Sequence, residues 1–167
     1  HYPVAGNFTD VMTLVERTGR LVGACDAAKE RTDEMAAQIS LVESATEGVE
    51  EPSVFYDLGQ GEGDLYTVNS KAFEHNLLDI AAAQNIAADV EGQYGSGYPL
   101  INQETVLEAN PDIVISPGPL TDFAQTRLVD PAGAEAIQIN ANYISQHAPR
   151  TVDVLVAVAE EPHPDPT

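Results

Sequence analysis

Residues 102–140 read NQETVLEANPDIVISPGPLTDFAQTRLVDPAGAEAIQIN, and they decide the fold. A helix from about Asn102 to Ala109 leads into DIVIS, a short β-branched run that reads as a buried strand. PLTDFAQTRLV returns to helical spacing, and AIQIN is a second strand. The alternation continues upstream. SVFYDL (53–58) reads as a buried strand entering the loop GQGEGD, KAFEHNLLDIAAA (71–83) has helical spacing, and NIAADV (85–90) is a short extended piece before the glycine-rich EGQYGSGYP (91–99). Downstream, PRTVDVLVAVAEE (149–161) is the last helix, with Pro149 suited to its first turn. Strands that alternate with helices predict an α/β fold, a three-layer αβα lobe over residues 52–161 with a mostly parallel sheet. Ligands are then expected at the carboxyl ends of the strands.

Before this lobe, apolar or small residues recur at 11, 15, 18, 22, 25, 28, 32, 35, 39 and 42, the stripe of one long helix over residues 7–45. Asn7 is its expected cap, with Asp10 facing the positive end of the dipole. Such a helix is about 54 Å long at 1.5 Å per residue, longer than a small domain is wide, and so is expected to brace something else. Gly19 and Gly23 either leave a flat spot for another backbone or are tolerated at about 1 kcal/mol each. Cys25 falls in the apolar stripe and is expected to be buried. The opening HYPVAGN reads as the interior of a longer chain, and the proline-rich end (162–167) as the start of a stiff linker.

The composition narrows the partners. Asp plus Glu number 27 against 7 Lys plus Arg, a formal charge of −20, yet 43% of residues are apolar. The apolar share supports a folded core, and the charge repels nucleic-acid backbones and anionic membrane surfaces. Lysine is scarce, at Lys29 and Lys71 only. A lysine-poor, carboxylate-rich surface suits molar salt, where the Debye length falls to about 3 Å and self-repulsion is quenched. A merely acidic mesophilic protein is the plainer alternative.

Catalytic motifs are not visible. LGQGEGDLY (58–66) sits where a dinucleotide loop would, but Asp64 stands in place of the third glycine, and Glu62 and Asp64 repel a pyrophosphate. Gly59 and Gly61 occupy positions where a calcium loop needs carboxylates. His1, His75, His147 and His163 lack metal-ligand spacing, so neither a metal nor a cofactor is expected. What remains are tyrosines in loops near strand ends: Tyr66, Tyr94, Tyr98 and Tyr143. Each offers an apolar face with a polar tip, suited to a large, partly polar ligand, although each taken singly is better explained by local packing.

One series ties these pieces together. ERTGRLVGACDAA (16–28), VFYDLG (54–59), LLDIAAAQNIAAD (77–89), GYPLINQETVLEANPDIVI (97–115) and NYISQHAPRTVDVLVAVAEE (142–161) resemble the class III substrate-binding proteins of ABC importers, most closely the cobalamin type. In that family two α/β lobes are joined by one long helix, with ligand between them. The resemblance implies a linker helix plus C-terminal lobe, the N-terminal lobe being the missing partner. It implies an extracytoplasmic receptor, anchored at the outer face of the membrane through segments outside this chain, with no enzymatic activity. It also implies that Tyr98 and Tyr143 face the ligand and that Glu104 docks on a basic pocket of the permease; Tyr66, past the first strand, and Gln146, near Tyr143, are the further candidate contacts. For Glu104 the plainer reading is a first-turn glutamate stabilised by the helix dipole. Two departures stand out: AAAQN replaces the family's paired glycines before Asn85, and Arg127 and Arg150 are the only basic candidates for a carboxylate siderophore. The expected ligand is a corrinoid such as cobalamin. A receptor for an iron-siderophore or haem, an α/β enzyme domain and a self-associating interaction module are the alternatives.

Overall fold

The computed structural model describes residues 5–60, 64–140, 149 and 151–160. Its elements are α1 (Phe8–Val22), α2 (Cys25–Thr46), β1 (Ser53–Tyr56), β2 (Leu65–Tyr66), α3 (Phe73–Ile80), β3 (Gln84–Asn85), β4 (Leu100–Ile101), α4 (Gln103–Ala109) and β5 (Ile113–Pro117). A helix here labelled α5 begins at Asp122–Ala124, widens through a π stretch at Gln125–Val129 and ends at Asp130–Ala132. β6 (Glu135–Ile139) and α6 (Thr151–Glu160) complete the described chain.

The main sheet has the order β3-β1-β5-β6, with every pair parallel. Because side chains alternate across a strand, its short apolar runs must be covered twice. Val54, Tyr56, Ile113, Ile115, Ile137 and Ile139 enter a core closed by Phe8, Met35, Leu77 and Leu155 of α1, α2, α3 and α6. Phe55 and Val114 enter a second core with Val106 of α4 and Ala124, Leu128 and Val129 of α5. The result is the three-layer αβα arrangement expected from the sequence. At the strand starts, Asp112 accepts from the Ser53 backbone N–H (2.8 Å) and hydroxyl (2.7 Å), tying β5 to β1.

The single long helix is the expectation that fails. α1 ends at Gly23, which takes a left-handed φ of 74°, and its N–H bonds the Gly19 carbonyl. Glycine is favoured at such a helix stop because it carries no Cβ. Gly19 then meets the start of α2, where an added Cβ would collide with Ala28 Cβ and lie 3.0 Å from the Ala24 carbonyl oxygen. Of the two readings open for these glycines, Gly19 shows the close approach, with the next helix as its partner, whereas an added Cβ at Gly23 would meet nothing within 4 Å. The break also resets the helical phase, so Cys25 opens α2 and is exposed rather than buried.

At the other departure, Ala82 follows α3 with φ 51°, a conformation that favours glycine. The strand beyond it still pairs in register, Val54 opposite Asn85. The β1–β3 ladder thus forms with a strained alanine at the turn that precedes it.

Candidate ligand-binding site

From β1 the chain crosses to β3 on one side, then returns to β5 and β6 on the other, so the order reverses between β1 and β5. The carboxyl ends flanking such a reversal are where open α/β sheets leave a crevice. Two segments meet beside the end of β1. Leu58, just past β1, donates its N–H to the Tyr66 carbonyl (2.9 Å), and Tyr66 donates to the Gly59 carbonyl (2.8 Å). Tyr66 in turn pairs with Leu100 in the antiparallel β2–β4 ladder. That pairing continues as Thr67 N–H bonds the Pro99 carbonyl (3.1 Å) and Asn69 N–H the Gly97 carbonyl (2.9 Å).

The register has a consequence for the tyrosines. With side chains alternating every residue, Tyr66 and Tyr98 fall on one face of this ladder, diagonal to each other. Both remain open to solvent, at 41% and 44% exposure, whereas the intervening Val68 is fully buried. Two buried asparagines pin the loops. Asn69 Nδ2 donates to the Val90 (2.8 Å) and Ser96 (3.1 Å) carbonyls, and Asn85 Nδ2 to the Val68 carbonyl (3.0 Å). Thr67 Oγ1 donates to the Tyr56 carbonyl (2.8 Å), fastening the ladder to the end of β1.

Tyr94 is fully exposed on the same glycine-rich loop as Tyr98, with a left-handed φ of 57°. Tyr143, Gln146 and Arg150 lie outside the described residues. Arg127 is exposed on α5. Among the described residues no group of three or more His, Cys, Asp or Glu could hold a metal ion.

Glu104 is exposed in the first turn of α4, whose cap is Asn102: its Oδ1 accepts from Thr105 N–H (2.8 Å) and hydroxyl (3.0 Å). The helix end expected from the sequence is present. First-turn acids also occur at Asp10, Asp26, Glu74, Asp122 and Asp153, so this position alone does not single Glu104 out.

The sequence reading missed two buried acids at this end of the sheet, Asp57 and Glu74. Asp57 follows β1 directly and accepts from the Gly59 N–H (2.9 Å). Burial pushes its pKa up from the usual carboxylate range, the Gly59 bond opposing the shift. The folded chain thus holds this proton to higher pH than the unfolded chain. Its stabilising contribution is fullest below the ordinary value near 3.8 and is lost as pH rises through the folded value. Asp112 has the opposite sign: bonds from the Ser53 hydroxyl and N–H hold its pKa down, so its contribution is lost as pH falls through the lowered value. Asp112 is exposed, and solvent screening keeps its share small. Asp57→Asn is therefore expected to raise the melting temperature at neutral pH and to flatten its decline above pH 4. Melts across pH in molar KCl, which screens the general repulsion, test this. An unchanged slope would show that Asp57 does not carry it.

Comparison with known proteins supplies the class. No family model matches the chain. It is 31% identical over 172 residues to a cobalamin-binding protein of Halobacterium salinarum, covering 93% of this chain and 45% of that protein. It is 22% identical over 174 residues to an uncharacterized ABC transporter substrate-binding lipoprotein, YvrC, of Bacillus subtilis, covering 96% of this chain and 52% of that one. In structure it matches a possible iron-binding, periplasmic solute-binding protein of Staphylococcus epidermidis with a TM-score of 0.81 and 19% identity, over 98% of this chain and 65% of that one.

The chain carries the α/β fold of the periplasmic binding proteins, with the parallel main sheet of one of their lobes. Its sequence relatives are a cobalamin-binding protein and an ABC transporter substrate-binding lipoprotein, in keeping with the class III resemblance of its motifs. It spans about half the length of these curated relatives. They are binding proteins rather than enzymes, and the Halobacterium relative accords with the molar-salt reading of the surface charge. No helix among the described residues is long and apolar enough to cross a membrane.

Proposed function

We propose that this chain forms the linker helices and C-terminal lobe of an extracytoplasmic solute receptor. The receptor captures a corrinoid such as cobalamin and delivers it to an ABC permease, performing no chemistry itself. The observation that carries the reading is the relationship to the Halobacterium cobalamin-binding protein along 93% of the chain. The site geometry supports it: Tyr66 and Tyr98 offer partly exposed aromatic faces on one side of a pinned ladder, beside the sheet's reversal point. Flat faces with polar tips suit a large macrocycle that is apolar in plane and polar at its edge. From the family resemblance Tyr143 is a further ligand contact and Glu104 the permease contact, with Gln146 near Tyr143 as an additional candidate. One relative is a lipoprotein, which fits a receptor held at the outer face of the cell membrane.

A second reading, an iron-chelate receptor, draws on the possible iron-binding protein that shares this fold. The two are separated by substitution. Tyr98→Ala in the complete receptor is expected to weaken cobalamin binding by about 2 kcal/mol, roughly thirtyfold, as for a buried aromatic anchor. Circular dichroism should stay unchanged, because the ring is half open to water and outside both cores. Cobalamin affinity unaffected by Tyr98→Ala, together with a loss of ferric-siderophore binding, would favour the second reading.

A further inference from the structure

We propose that Glu74 is a positioning residue for the ligand-facing wall: its carboxylate holds the phenol of Tyr98 and so sets the angle at which that ring meets a ligand. The inference rests on the receptor reading above.

Glu74 lies in the first turn of α3 and is only 6% exposed, whereas most acids of this chain face water. Burying a carboxylate is costly unless it is hydrogen-bonded, so solubility does not explain its place. The helix start favours the negative charge, and Tyr98, 24 residues away, brings its hydroxyl to 3.4 Å from Oε2. That separation is longer than the usual hydroxyl–oxygen bond, so the contact has room to tighten as water is excluded from around the ring.

Two further observations place this contact in a built setting. Gly97, immediately before Tyr98, packs on the entry to α3, where an added Cβ would lie 2.8 Å from the Ala72 backbone nitrogen. The main chain of Tyr98 is thereby fixed against the same helix end that carries Glu74. Behind them stands Tyr56, the last residue of β1, fully buried, its hydroxyl without a hydrogen-bond partner among the described residues. Burial holds the Tyr56 phenol neutral, and Glu74 and Tyr98 both add to that effect, so the three groups share one electrostatic neighbourhood. The same holds for Tyr98, whose ionisation is opposed first by burial and then by Glu74. The backbone before Tyr98 is thus seated on the start of α3, and Glu74 on that same turn is the side-chain contact of its phenol.

The test is a double-mutant cycle in the complete receptor, titrated with cyanocobalamin in molar KCl, with melting temperatures recorded for each variant. Tyr98→Phe and Glu74→Leu should each weaken binding about tenfold, as for loss of a bond to a charged group. The double variant should be no weaker than either single one. Glu74→Gln, which keeps an acceptor, should stay within about threefold of the parent, since a neutral acceptor retains about half of such a bond. Glu74→Leu weakening the Tyr98→Phe protein as much as it weakens the parent would overturn the proposal. A second readout needs no ligand: the Tyr98 phenol, followed by ring NMR, should titrate at lower pH in Glu74→Gln. If it does not move, the two side chains are uncoupled and the inference fails, whatever the receptor binds. Failure of the receptor reading looks different: the parent protein binds no corrinoid while the Tyr98 titration still shifts.

Discussion

Glu104→Ala in the complete receptor is expected to leave corrinoid affinity unchanged while weakening its association with the permease. The residue stands exposed at the capped start of α4, a short helix anchored through the buried Val106 and through Gln103, which donates to the Arg127 carbonyl (3.1 Å). Nothing in either core depends on its side chain, so the fold should tolerate alanine. The loss of the dipole interaction at an exposed helix end amounts to about 0.3–1 kcal/mol of stability. Docking is another matter. If a permease arginine meets this carboxylate in a desolvated contact, truncation costs about 2–5 kcal/mol, most of it from the arginine left buried without a partner. Receptor–permease association in detergent or nanodiscs reads this directly. Tyr98→Ala is the complementary control, binding ligand about thirtyfold more weakly while the protein still docks. Normal transport by the Glu104→Ala receptor would reduce the residue to a helix-end charge, and loss of ligand binding would mean that α4 faces the cleft.

The second large effect concerns salt. A formal charge of −20 on 167 residues makes the compact state repel itself in dilute buffer. Two ion pairs form among the described residues, Lys29–Asp33 and Arg31–Glu34, and both lie on exposed faces of α2. Exposed pairs of this kind contribute little. Stability must therefore come from the two apolar cores and from screening by the medium. Raising KCl from dilute to molar should add about 3 kcal/mol, which for a chain of this size raises the melting temperature by about 10 °C. A melting temperature flat across that range would remove the molar-salt reading, leaving an acidic protein that folds regardless of its medium.

The parts of the fold legible in the sequence are those where packing repeats along the chain. SVFY and IVISP announce themselves as doubly buried strands because nearly every position is apolar, and they pair in parallel across the point where the strand order reverses. The break at Gly23 was hidden for the opposite reason: the apolar stripe runs on through positions 22, 25 and 28, so periodicity alone does not separate one helix from two. The available signal was the glycine itself, a common helix stop. β2 and β4 are two residues each, too short for an alternation to register, and so the shared face of Tyr66 and Tyr98 emerges only from the ladder. Asp57 and Glu74 were indistinguishable in sequence from the solvated acids around them. Burial by residues distant in the chain is what separates them, and the bond between Glu74 and Tyr98 spans 24 positions.

The most direct test of the account is a titration of the complete receptor in molar KCl with cyanocobalamin, haem and a ferric siderophore, followed by intrinsic tyrosine fluorescence. The account predicts saturable binding of cyanocobalamin at one per receptor, tighter than either iron compound, with a quench that shrinks in Tyr98→Ala. Tighter binding of haem or the ferric siderophore, with no saturable response to cyanocobalamin, would contradict it.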